Sequence, residues 1–226
     1  MKKYTILLLL LLGAVLTSCV KEQEIGIVPA DTDQIKLSFA LPANGLETRA
    51  LLEANEELIE TGSLRVLSFM QNAASESVYS YEAPITGSTV SGDIMTITAT
   101  VRTNPNYDQR FVVLVNCSSA VDAAAPVVNE KLETVMKRLV VSTGGGEWPT
   151  GENGTGSFVP FPMYAKTVGF RIAPTMTHPI STVYPLIRMV ARIDISVSST
   201  LAASDFELTS ASLVNYKTGG YVSYEF

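Results

Sequence analysis

Histidine, tryptophan and cysteine are nearly missing from this chain: one, one and two among 226 residues. The lone His178 precedes Pro179 in a proline-rich joint, so a histidine-based triad or a histidine-rich zinc site has no partners to assemble from. Glycine is gathered in "GGGEWPTGENGTG", but no Gly-Lys-Ser/Thr follows it and no helix opens after it. The phosphate cradle of a nucleotide site is therefore absent. Basic residues are outnumbered, 16 against 22 acidic. Nucleic acid, whose binding rests on neutralised phosphates, is set aside as a partner.

Long apolar runs are also scarce, and the one present is at the start. "MKKYTILLLLLLGAVLTSC" has Lys2 and Lys3, then an apolar stretch from Ile6 to Leu16. That is shorter than the ~20 residues a membrane span needs, and it reads as a secretion signal over 1–18. Leu16-Thr17-Ser18-Cys19 matches the bacterial lipobox, with signal cleavage between Ser18 and Cys19 and a lipid attached to the Cys19 sulfur. Multiple acyl chains, palmitate among them, anchor stably where one is marginal. The mature chain is then tethered to a membrane it does not cross, and its only cofactor-like group is this covalent lipid. Loss of Lys2 and Lys3 leaves 14 basic against 22 acidic residues, a net −8. With Cys19 lipidated, Cys117 has no intrachain partner and reads as a small buried thiol.

Residues 19–33 are polar and unpatterned, as a tether would be. Beyond them the period is mostly two. Ile35, Leu37, Phe39 and Leu41 alternate with Gln34, Lys36, Ser38 and Ala40, and Met95, Ile97, Ala99 and Val101 alternate with Thr96, Thr98 and Thr100. "SLRVLSFM" (63–70) and "RFVVLVNC" (110–117) are more apolar throughout, as central strands would be. "RMVARIDISVSS", "FELTSASLVN" and "GYVSYEF" add strand-like segments near the end. One segment is helical: Leu132, Val135, Met136 and Leu139 recur at helical spacing within 128–140, with Asn129 as a cap. A second short helix is expected in "ALLEANEELIE". The fold class that follows is all-β, mainly β with one helix, and a sandwich in architecture.

Candidate chemistry is thin. Asp93 follows Gly92 in a turn and Asp194 sits mid-strand, so neither forms an evident carboxylate pair. Trp148 and Tyr164 flank the glycine-rich loop, where aromatics can stack on a sugar ring. Asn116-Cys117-Ser118 and Asn153-Gly154-Thr155 match the glycosylation pattern, which a bacterial host makes uninformative. No nucleophile–base pair argues for an enzyme. The remaining oddity is Arg49 in "GLETRALLEA", the only basic residue between Lys36 and Arg65, set among Glu47, Glu53, Glu56, Glu57 and Glu60.

Several stretches together resemble the fimbrillin family, lipoprotein pilus subunits of anaerobic Gram-negative bacteria. They are the lipobox at Cys19, "ETRA" (47–50), "LRVLSFM" (64–70), "FVVLVNCSSA" (111–120), "VPFPMYAK" (159–166) and "PLIRMVARIDISV" (185–197). The resemblance implies two transthyretin-like, Greek-key β-sandwiches in tandem. On that frame 34–182 is the N-terminal domain, 35–49 is its removable first strand, and 183–226 opens a second domain that is incomplete. It implies export to the outer-membrane surface and cleavage between Arg49 and Ala50 by an arginine-specific protease. A strand from another subunit then replaces the first, building a fimbrium that supports adhesion. Stalk, anchor and tip roles stay open. So does a different class, a surface lipoprotein that binds glycan or another ligand without polymerising.

Overall fold

In the computed structural model the chain divides into Met1–Asp31 and Thr32–Phe226, and every described residue belongs to the second unit. These are residues 34–42, 58–92, 94–142, 159–176, 183–189, 209–210, 212 and 219–223; within 34–42 they comprise the backbone and the Ser38 side chain. The second helix expected in "ALLEANEELIE" falls almost wholly outside them.

The alternating and the uniformly apolar segments become two sheets. A three-stranded antiparallel sheet has the order β1 (Gln34–Pro42), β5 (Ile94–Arg102), β4 (Ile85–Ser91). A larger sheet has the order β10 (Ile187–Arg188), β8 (Met163–Lys166), β6 (Asn104–Val115), β2 (Arg65–Gln71), β3 (Ser77–Glu82), with β9 (Phe170–Ile172) also paired to β6. A two-stranded ribbon joins β7 (Val140–Ser142) to β11 (Gly219–Tyr221). The fold is thus a mainly-β sandwich.

Between the two sheets Met95, Ile97, Ala99 and Val101 of β5 meet Val66, Tyr81, Phe111, Val113, Val115, Met163, Ala165 and Ile172. The other face of the larger sheet carries Leu67, Phe69, Tyr79, Val112, Leu114 and Tyr164, and it is covered by two short helices, α1 (Ser118–Ala124) and α2 (Leu132–Arg138). The larger sheet is therefore buried on both faces. That is why β2, apart from Ser68, and the second half of β6 read as apolar runs without alternation, whereas β5, covered on one side, alternates.

α1 was not expected, and α2, the helix expected within 128–140, is shorter. Its apolar spacing holds, with Leu132, Val135, Met136 and Leu139 all buried. Its start does not. Asn129 lies in the left-handed region at φ 71°, and the cap position is Lys131, whose side chain makes no capping bond. Residues 129–131 instead run along the edge of β3: the Tyr79 N–H donates to Glu130 O at 2.7 Å and the Asn129 N–H to Tyr79 O at 2.9 Å. That stretch covers an edge that would otherwise be open to other chains. At seven residues each, neither helix would persist alone in water; both are held by the apolar face beneath them.

The stretch expected to open a second sandwich, 183–226, is described in parts. Ile187–Arg188 pairs antiparallel with Met163–Tyr164, Gly219–Tyr221 pairs with Val140–Ser142, and the Val222 N–H donates to Leu139 O at 2.8 Å.

Candidate functional site

β1 lies at the edge of the three-stranded sheet, and β5 is its sole strand neighbour among the described residues. Their ladder is antiparallel and unbroken from Gln34↔Arg102 to Pro42↔Ile94. The apolar positions Ile35, Leu37, Phe39 and Leu41 are in register with Val101, Ala99, Ile97 and Met95, which are at most 4% exposed. On the opposite face the Ser38 and Thr98 hydroxyls meet at 3.1 Å.

The direction of β5's backbone groups follows from one bond. The Thr100 N–H donates to Pro84 O at 2.8 Å, toward the β4 side. Successive residues of a strand direct their N–H and C=O groups to opposite sides. Met95, Ile97, Ala99 and Val101 therefore present theirs to β1. β4, by contrast, is polar and largely exposed, and its pairing with β5 is interrupted by a bulge between Ile85 and Gly87. A bulge and a polar sequence are devices that keep an edge from recruiting further strands.

The base of the β4–β5 hairpin holds a buried polar cluster. The Arg102 N–H donates to the Tyr81 hydroxyl at 2.7 Å, and Gln109 Nε2 donates to Arg102 O at 2.9 Å. The Tyr81 hydroxyl and Ser68 Oγ each lie 3.4 Å from Gln109 Oε1. The Arg102 guanidinium sits 4.4 Å from the centre of the Tyr81 ring, within cation–π range. Burial raises the Tyr81 hydroxyl above its ordinary pKa, and the bond from the Arg102 backbone partly offsets it.

A second polar node closes the other end of β6. Asn116 lies at φ 57°, a conformation that asparagine tolerates better than most residues. Its Nδ2 donates to Leu58 O at 2.7 Å and Phe161 O at 2.9 Å, and its Oδ1 accepts from the Glu60 N–H at 3.0 Å. The Asn116 N–H donates to Ser63 Oγ at 2.8 Å. The carboxamide of this glycosylation-like triplet is thus engaged in holding three segments together. Neighbouring Cys117 is 3% exposed, and burial pushes its thiol up to about 12, which suits packing and not nucleophilic chemistry.

Of the positions singled out in the sequence, Ser18, Cys19, Arg49 and Ala50 lie outside the described residues, as do Asp93, Trp148, Asn153, His178 and Asp194. Tyr164 is described, and the idea of a sugar-stacking ring is corrected there. It is 1% exposed and packs in the core between sheet and helices. Neither polar cluster was foreseen, because each joins residues far apart in the chain.

No family model and no curated protein matches the chain. Among solved structures it is similar to a fimbrial assembly protein from Parabacteroides distasonis ATCC 8503, at 9% sequence identity and a TM-score of 0.41. The likeness covers 70% of this chain and 54% of that one, so the chain spans about half the length of that structure.

Proposed function

We propose that this protein is a structural subunit of a cell-surface fimbrium. It is exported as a lipoprotein through Cys19 to the outer-membrane surface. An arginine-specific protease then cuts between Arg49 and Ala50, and a strand of another subunit replaces β1. No catalysis by this chain is part of the proposal. The sequence support is the lipobox and the ordered set of fimbrillin-like segments. The observation that carries it is the position of β1 at a sheet edge, joined to the body by a single ladder among the described residues.

That position makes the exchange physically reasonable. β1 ends at Pro42 and Arg49 follows it, so cleavage there would leave β1 attached by pairing and packing alone. Its departure would strip the backbone groups of Met95, Ile97, Ala99 and Val101 of their partners and bare the apolar positions of β5. An incoming extended segment with alternating apolar residues restores both at once, the backbone supplying affinity and the side chains the fit.

The test is the N-terminus of protein recovered from the cell surface. Ala50 at the start of chains in high-mass, SDS-resistant ladders supports the proposal. Chains that begin only at lipidated Cys19, with Arg49→Ala changing nothing, overturn it.

A further inference from the structure

The strand that must receive a replacement for β1 is itself lightly attached. β3 passes to β4 through Ala83 and Pro84, and β5 passes to β6 through Thr103 alone. Both crossings lie at the same end of the β4–β5 hairpin. With β1 gone, the smaller sheet is this hairpin by itself, and two-stranded ribbons are marginal in water. An empty acceptor site therefore needs something to keep β5 from sliding or folding down over Phe111 and Val113.

The cluster at the hairpin base is placed to do that. β4 begins at Ile85, in register with Ala99, and Pro84 O takes the Thr100 N–H. Arg102 lies two residues further and so shares the parity of Thr100, and its N–H and C=O point to the side where β4 has already ended. Tyr81 and Gln109, from the larger sheet, take these two groups with bonds of 2.7 and 2.9 Å. Both side chains are buried, Gln109 fully. None of these contacts involves β1, so they survive its loss.

We infer that Tyr81 and Gln109 act as a clamp on the Arg102 backbone, holding the β4–β5 hairpin in register over the larger sheet while the β1 position is empty. They are positioning residues for strand acceptance, and the inference rests on the strand-exchange reading above. A contact that served only general stability would protect all strands alike; a clamp protects the hairpin selectively once β1 lets go.

Native-state amide exchange of the full chain at low denaturant separates these cases. Amides of Ile97, Ala99 and Val101, bonded to β1, exchange first as β1 releases. Those of Thr96, Thr98 and Thr100, bonded toward β4, stay protected longer. Tyr81→Phe removes the hydroxyl that accepts from Arg102, and Gln109→Met removes the donor at similar length. Either is expected to lower protection at Thr98 and Thr100 about tenfold, closing the gap to their neighbours, as loss of one buried bond predicts. Val66 and Val113 of the larger sheet keep their protection. An unchanged gap in both variants, or an equal fall at Val66 and Val113, overturns the clamp. Neither result depends on cleavage at Arg49, so the clamp and the fimbrial reading fail on separate measurements.

Discussion

The hydroxyls of Ser38 and Thr98 lie 3.1 Å apart across the β1–β5 ladder, on the face away from the buried side chains of β5. Directly behind Thr98 on the strand is Ile97, fully buried between the sheets. A cross-strand hydroxyl pair is worth roughly 0.2–1 kcal/mol, whereas truncating a buried isoleucine costs about 2–5 kcal/mol. Thr98→Val is thus expected to shift urea unfolding by no more than ~1 kcal/mol, since valine suits a strand as well as threonine does. Ile97→Ala should shift it several times further. Equal effects would mean that the Ser38–Thr98 pair contributes as much to stability as the packing of Ile97.

Asn116 offers a sharper stability test because its backbone and side chain can be separated. Asn116→Gly keeps the left-handed conformation but loses the bonds to Leu58, Glu60 and Phe161, an expected cost of about 2–4 kcal/mol. Asn116→Ala loses the same bonds and adds the penalty of a Cβ at φ 57°, roughly 1–2 kcal/mol more. The order alanine below glycine below wild type, read from denaturant midpoints at constant slope, checks both parts. A reversed order would mean that the segment relaxes out of its left-handed turn.

Cys117 makes the fold sensitive to alkali. Burial pushes its thiol up to about 12 from an ordinary 9.0, so the unfolded chain gives up this proton first. The stabilisation is fully present below pH 9, declines as the unfolded thiol ionises, and is lost as pH rises through about 12. Cys117→Ala should flatten the fall of the thermal midpoint between pH 8 and 11. A residual slope should remain, because burial also raises Tyr79 and Tyr81. An unchanged slope in the alanine variant would mean that the thiol is hydrated in solution.

Much of the fold was legible because burial leaves a period. β5 alternates, and so does β1; the doubly covered β2 and β6 do not alternate and read as central. β4 went unseen since "ITGSTVS" is exposed nearly throughout and carries no apolar signal. α1 went unseen because "SSAVDAA" buries only Ala120, Val121 and Ala124, too few for a period to emerge. α2 was read too long, since its spacing could not reveal that 129–131 would be taken by the edge of β3. The Tyr81–Gln109–Arg102 and Asn116 clusters join residues brought together only by the sandwich itself. Cys19 and Arg49 are the reverse case: in the proposed reading, enzymes recognise them in linear sequence, and both lie outside the described residues.

The parity of the β1–β5 ladder yields a last test that depends on backbone direction alone. Thr100 bonds toward β4, so Ala99 bonds toward β1, and its register partner Leu37 directs its N–H at β5. Lys36, one residue earlier, directs its N–H away from β5. Proline removes an N–H and is tolerated in sheets only where that group faces outward from an edge. Leu37→Pro is therefore expected to open the ladder more than Lys36→Pro, by at least the ~1 kcal/mol of a lost ladder bond, with Leu37→Ala reporting the side-chain share. Amide exchange at Ile97 and Val101, the neighbours of Ala99 that also face β1, measures the difference. Faster exchange in Lys36→Pro than in Leu37→Pro would mean that β1 pairs in the opposite parity, and an incoming strand would then have to present its other face.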